Sequence, residues 1–120
     1  MTLRVFADER CMGHEVPYGF PESQQRLAGI LSALSAHWDV ETEGRCEGVE
    51  DAIAAVHEDK YIEVFRRAVE RGDGLLGSSD NPLSPGTWAA ATAAVESTLR
   101  AVDWAVEGSG REAFVAVRPP

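Results

Sequence analysis

The sequence is poor in the residues that commit a chain to an obvious chemistry. Its two cysteines, Cys11 and Cys46, are too few for a disulfide framework and show neither CxxC spacing nor a zinc-knuckle pattern. The three histidines, His14, His37 and His57, include no HxH pair, no i, i+4 pair and no Asp-x-His. No local spacing therefore marks a metal site. A GxSxG nucleophile elbow is missing as well. Positive charge is scarce: Lys and Arg total 11 against 20 Asp and Glu, a formal net charge of −9. That balance argues against a nucleic-acid or anionic-membrane partner, both of which need a basic surface. It does tolerate a cationic substrate. No run approaches the ~18 apolar residues of a membrane span. The N-terminus carries Arg4, Asp8, Glu9 and Arg10 where a signal peptide needs an apolar stretch. The expected setting is the cytoplasm.

What is present reads as a globular domain. The chain has 120 residues, 44% hydrophobic and 26% charged, and a domain of this size buries roughly two-thirds of its unfolded surface. Leu3 to Phe6 reads as a strand and Asp8 to Phe20 as a long loop. Pro21 suits a first helical turn, and Leu27, Ile30, Leu31 and Leu34 form one stripe of a helix over 21–36. Trp38 to Thr42 alternates as a short strand. Val49, Ile53 and Val56 share a helix face, with Glu50 and Asp51 in a first turn that favours acids. A helix over 60–71 turns Tyr61, Ile62, Phe65 and Val69 inward and stops at Gly72.

Residues 73–83 read as a loop, followed by Ser84 as N-cap and Pro85 at the first position of a long helix. Trp88, Thr92, Val95, Leu99, Val102 and Val106 make its apolar stripe, and alanines at 89–91, 93, 94 and 101 let another element come close. Gly108 ends it. Ala113 to Val117 is a continuous apolar run, as in a parallel strand covered on both faces. Strands alternating with helices in this order predict an α/β fold with a parallel sheet.

Several motifs have ordinary readings. Gly72-Asp73-Gly74-Leu75-Leu76-Gly77 matches GxGxxG, but a helix precedes it and a loop follows, the reverse of the strand-to-helix context a pyrophosphate site needs. His37 and His57 read as boundary and capping residues. His14, in the first long loop, is the best candidate of the three. Cys11 has His14 close in sequence, but Cys–His pairs are not built from chain neighbours. Asp80-Asn81-Pro82 reads as an Asx-type turn.

Four segments, taken in order, carry more. They are His14–Pro17 leading into Pro21–Leu27 (Pro-Glu-Ser-Gln-Gln-Arg-Leu), Val56–Ile62, Ser79–Trp88, and Phe114–Pro120 (Phe-Val-Ala-Val-Arg-Pro-Pro). Their order and spacing resemble the N-terminal third of the histone deacetylase superfamily, in its bacterial acetoin-utilisation and acetylpolyamine amidohydrolase-like branch. The resemblance implies an arginase-like parallel sheet flanked by helices and a zinc-dependent deacetylase. It implies acetyl-lysine or acetylpolyamine-type substrates. In that family Gly-His-His follows Arg-Pro-Pro, and the metal ligands come later. On this basis residues 1–120 are expected to be the N-terminal segment of one deacetylase-like domain, cut before the catalytic histidines. No catalytic residue, no metal ligand and no bound zinc are expected in this chain alone, and no activity by itself.

The supporting shell carries over by the same resemblance. Asp80 matches the substrate-binding aspartate at the pocket rim, and Arg26 the arginine of the internal channel. His14, Phe20 and Pro21 belong to the first rim loop. Phe20 stands where many members have histidine, so substrate preference does not transfer. The last strand would expose an edge, which predicts self-association. The alternative reading is a stand-alone, non-catalytic α/β interaction module.

Overall fold

The computed structural model describes residues 1–42 and 45–120. Strand β1 (Thr2–Phe6) is followed by a 3-10 helix (Glu9–Gly13), α1 (Gln24–Ser35) and β2 (Val40–Glu41). Then come α2 (Val49–Val56), α3 (Asp59–Arg71), β3 (Leu75–Leu76), β4 (Ser78–Pro82), α4 (Thr87–Val106) and β5 (Arg111–Val115). The three longer-range strands pair in parallel in the order β2-β1-β5. Val5 lies opposite both Val40 and Phe114. Parallel neighbours need crossovers, and the helices supply them. The α/β expectation from the order of elements is met.

β1 is the central strand, and its carboxyl half is the most buried part of the sheet. Val5, Phe6 and Ala7 are fully or almost fully enclosed. Val5 clusters with Cys11, Leu27, Ala93 and Ala116, and Ile30, Leu31 and Leu34 of α1 pack against that cluster. The α1 stripe read from the sequence is therefore its core face. At the opposite margin Phe6 meets Trp104 of α4 at 6.0 Å between ring centroids, and the guanidinium groups of Arg4 and Arg111 lie over the Trp104 ring.

The long helix α4 departs from its expected orientation. Its buried residues are Thr87, Ala90, Ala93, Glu96, Ser97 and Ala101, all small except Glu96. The large apolar stripe is not turned to the sheet: Val102 is 53% exposed and Val106 75%. Small side chains win the sheet-facing position because they let the helix backbone approach closely. The closest approach is at its start, where a Cβ on Gly86 would collide with the carbonyl of Gly13.

Several boundaries differ for local reasons. The first helix begins at Gln24 with Ser23 in extended N-cap geometry, not at Pro21. The side chains ahead of it are used elsewhere: Glu22 binds Arg118, and Gln24 Nε2 donates to the Met12 carbonyl. Ser84 does not cap α4, which starts at Thr87 behind Gly86. Its hydroxyl instead accepts from the Glu15 amide and donates to the Gly13 carbonyl. The expected loop over 73–83 contains the antiparallel hairpin β3–β4, turned at Gly77 (φ 78°). The loop over 8–20 holds the 3-10 helix, capped by Asp8.

Gly72 does stop α3, in left-handed geometry. Tyr61 on that helix is 49% exposed, and Val56 at the end of α2 76%, so neither face is closed. The last strand is Arg111–Val115 and is not covered on both faces. It is an edge with β1 as its one described neighbour, and Glu112, Ala113 and Phe114 are exposed.

Candidate functional site

The apolar stripe that α4 withholds from the sheet lines a groove of about 580 Å³. Trp88, Thr92, Val95 and Leu99 form one wall. α2 and α3 form the other through Ile53, His57, Tyr61, Ile62 and Phe65. The rings continue across the floor: Tyr61 and Phe65 lie 6.4 Å apart, and Phe65 meets the edge of Trp88 at 5.4 Å. One end is closed by the loop residues His14, Val16 and Phe20 with Pro119 and Pro120. The hairpin contributes Leu76, Asp80, Asn81 and Pro82 to the rim. That end lies past the carboxyl ends of β1 and β5, where open α/β sheets place ligand sites. No lysine or arginine is among the described lining residues.

The groove gathers parts of all four segments picked out in the sequence: His14 from the first, His57 and Tyr61 from the second, Asp80 from the third, Pro119 and Pro120 from the last. Of the candidate site residues, His14, Phe20 and Asp80 are brought together here. Arg26 is not. It lines a separate cavity of about 140 Å³ beside β5, shared with Glu22, Leu27, Ile30 and residues 114–118. Pro21 lines neither. Asp80 is exposed and sits in β4 rather than in an Asx-type turn, while Asn81 Nδ2 donates to the Leu76 carbonyl across the hairpin.

Behind the loop lies a buried polar cluster. Arg118, 2% exposed, forks onto Glu22 with Nε–Oε1 at 2.8 Å and Nη2–Oε2 at 3.1 Å. Its Nη1 donates to the carbonyls of Cys11 and His14. The guanidinium thus ties the end of β5 to the 3-10 helix and to the approach to α1. His14 is buried beside it, with Nδ1 2.8 Å from Thr87 Oγ1 and Nε2 3.7 Å from Glu22 Oε2. Burial holds the His14 pKa below the ordinary imidazole value, Arg118 lowers it further, and Glu22 opposes both. Burial likewise pushes the Cys11 thiol up, away from a nucleophilic thiolate.

A second cluster anchors the other side. Asp8 accepts from the Arg10 amide and guanidinium, and Arg10 reaches Glu96 at 3.1 Å. Glu96 also accepts from the Cys46 amide. Burial alone would raise the Asp8 pKa, but the Arg10 hydrogen bonds and charge outweigh it and hold the carboxyl below its usual range. Sequence reading missed Glu22, Thr87, Glu96 and Arg118 as partners. Their pairings span up to 107 positions, and no local spacing signals them.

The described residues do not fit a zinc ion. No three His, Cys, Asp or Glu side chains among them come together to hold a metal. His14 already has a neighbour at each ring nitrogen. His57 stacks on Tyr61 at 5.4 Å and His37 meets Trp38 at 5.6 Å. No described helix is long and apolar enough to cross a membrane.

Comparison with known proteins places this geometry. A histone deacetylase-like amidohydrolase of Pseudomonas aeruginosa is 26% identical over 142 aligned positions, which take in 100% of this chain. The chain spans 37% of that relative's length. The family model of the histone deacetylase domain matches residues 20–120, covering the α1 approach, Asp80, the groove walls and Arg118. On that match, the chain belongs to the histone deacetylase domain family.

Proposed function

We propose that this chain is the N-terminal portion of a zinc-dependent deacetylase, an amidohydrolase that removes acetyl groups from acetyl-lysine or acetylpolyamine-type amines in the cytoplasm. It supplies a substrate wall and not the catalytic centre. The zinc, which would activate water for attack on the amide, belongs to residues beyond those described here. The single observation that carries the reading is convergence. Four segments chosen for their resemblance to one family, far apart in the chain, line one groove past the carboxyl ends of β1 and β5.

The roles follow from position. Asp80, exposed on the rim, is placed to accept hydrogen bonds from the backbone or amine of a ligand lying across the groove. The His14–Pro21 loop shapes the mouth, with Phe20 as its apolar contact. Arg26, on the cavity beside β5, serves as a channel residue for the released acid. The absence of Lys and Arg from the described groove lining and the −9 net charge favour a substrate with a cationic amine over an anionic one.

The test is an assay of the 120-residue protein for bound zinc and for acetate released from an acetyl-lysine peptide and an N-acetylpolyamine. The reading predicts no stoichiometric zinc and no turnover. Turnover above a blank, abolished by a chelator, would contradict it.

A further inference from the structure

His14 is a titratable group enclosed at the end of the groove with a polar atom opposite each ring nitrogen. Counting donors decides where its proton lies. Thr87 Oγ1 accepts from the Ser84 amide at 2.7 Å. Ser84 Oγ accepts from the Glu15 amide at 2.9 Å and spends its own hydrogen on the Gly13 carbonyl at 3.2 Å. The Thr87 hydroxyl hydrogen then has two acceptors in reach, His14 Nδ1 at 2.8 Å and Ser84 Oγ at 3.2 Å. On the other side of the ring, Nε2 faces the Glu22 carboxylate. A bare nitrogen lone pair there would oppose a negative oxygen, whereas an N–H is attracted to it. The shorter contact to Nδ1 and the carboxylate opposite Nε2 favour the same arrangement.

We infer that His14 is a positioning residue held as a neutral ring protonated on Nε2, accepting from Thr87 and facing Glu22, and that Arg118 keeps it so by sharing Glu22. The groups involved come from each element around the ring. Glu22 lies ahead of α1, Arg118 follows β5, Thr87 opens α4, and Ser84 precedes it. Glu22 and Arg118 are the charged groups that act on the ring. A second proton on His14 would occupy Nδ1 and force the Thr87 hydroxyl to turn to the more distant Ser84 Oγ. It would also set an imidazolium beside a guanidinium with one carboxylate between them. The wiring therefore resists protonation and locks the loop to the start of α4, one residue from the groove ring of Trp88. The ring itself adds no positive charge to this end of the groove at neutral pH.

The inference stands on the isolated chain, whatever reaction the groove serves, so its failure and that of the deacetylase reading are separable. The experiment is nitrogen-15 NMR of the histidine rings of the 120-residue protein across pH. In the parent His14 shows an unprotonated Nδ1 and a protonated Nε2, and titrates below the ordinary imidazole range. Thr87→Val removes the donor to Nδ1 and mixes the tautomers, while Thr87→Ser, which keeps the hydroxyl, restores the single form. Glu22→Gln moves the titration to lower pH. A merely structural role would change stability in these variants without moving the tautomer. A proton on Nδ1 in the parent, or a tautomer unchanged in Thr87→Val, overturns the inference. Should Thr87→Val fail to fold, the parent tautomer and the Glu22→Gln shift decide it.

Discussion

Arg118 and Glu22 stand 96 residues apart in the chain and meet as a two-point fork beneath the groove loop. The guanidinium is enclosed, so removing either partner strands the other with incomplete solvation. Breaking such a pair costs about 3–5 kcal/mol when both groups are buried. Glu22 keeps 27% of its side chain exposed, which moves the expected loss toward about 3 kcal/mol. Arg118→Met should lower stability by that much in urea unfolding, and the double variant Arg118→Met with Glu22→Gln should recover part of it. Equal loss in the single and double variants would mean that leaving Glu22 unpaired costs little.

His14 adds a pH dependence whose direction is fixed. Its pKa is depressed on folding, chiefly by burial and then by Arg118. Between the lowered folded value and the unfolded value of about 6.5, the unfolded chain binds more protons. Stability from this residue is therefore complete above about pH 6.5 and is lost as pH falls through the folded value. Asp8 adds a second acid-side loss, because Arg10 holds its carboxyl below the usual aspartate range. Melting temperatures should fall from pH 7 toward pH 5, and His14→Gln should flatten that decline. A parent melting temperature constant over that range contradicts the assignment.

At the scale of elements, close backbone approach governs α4. The Gly13 carbonyl occupies the space a Cβ at Gly86 would need, and backbone cannot move aside as a side chain can. Gly86→Ala should destabilise by about 1–3 kcal/mol, the cost of overpacking, as read by chemical denaturation. A neutral effect would mean that the loop and helix are free to separate.

The same helix explains what the sequence could and could not reveal. The stripe Trp88, Thr92, Val95, Leu99 was legible because large apolar side chains recur at helical spacing, but spacing does not say which neighbour a stripe faces. The face turned into the fold carries Ala90, Ala93, Ser97 and Ala101, whose small volume carries little hydrophobic signal. Gly72 was legible as a stop because left-handed backbone favours glycine. The hairpin at 75–82 was not, since its first strand has two residues and its second holds Ser, Asp, Asn and Pro. Of the groove lining, Asp80, His14 and Phe20 were singled out through the order of motifs. Glu22, Thr87 and Arg118 acquire their roles only through pairings that folding creates.

β5 is an edge strand with Phe114 46% exposed, and an open apolar edge invites pairing. Sedimentation analysis should detect concentration-dependent association of the parent, reduced in Phe114→Lys. A parent that remains monomeric at every concentration would remove the edge from the account.

For the whole molecule, the layout separates two tasks. β1, the 3-10 helix, α1 and the small face of α4 form the core together with Ala116, while α2, α3, the hairpin and the opposite face of α4 enclose the groove. The core and the groove thus use different faces of one helix. The family match takes in residues 20–120, and the chain spans 37% of the Pseudomonas aeruginosa relative.

The most direct measurement is titration of the nitrogen-15-labelled protein with an N-acetylpolyamine and an acetyl-lysine peptide while acetate is monitored. The account predicts resonance shifts concentrated at His57, Tyr61, Asn81 and Trp88, diminished in Asp80→Ala, with no acetate released. Shifts absent from the groove, or acetate produced by this chain alone, would contradict it.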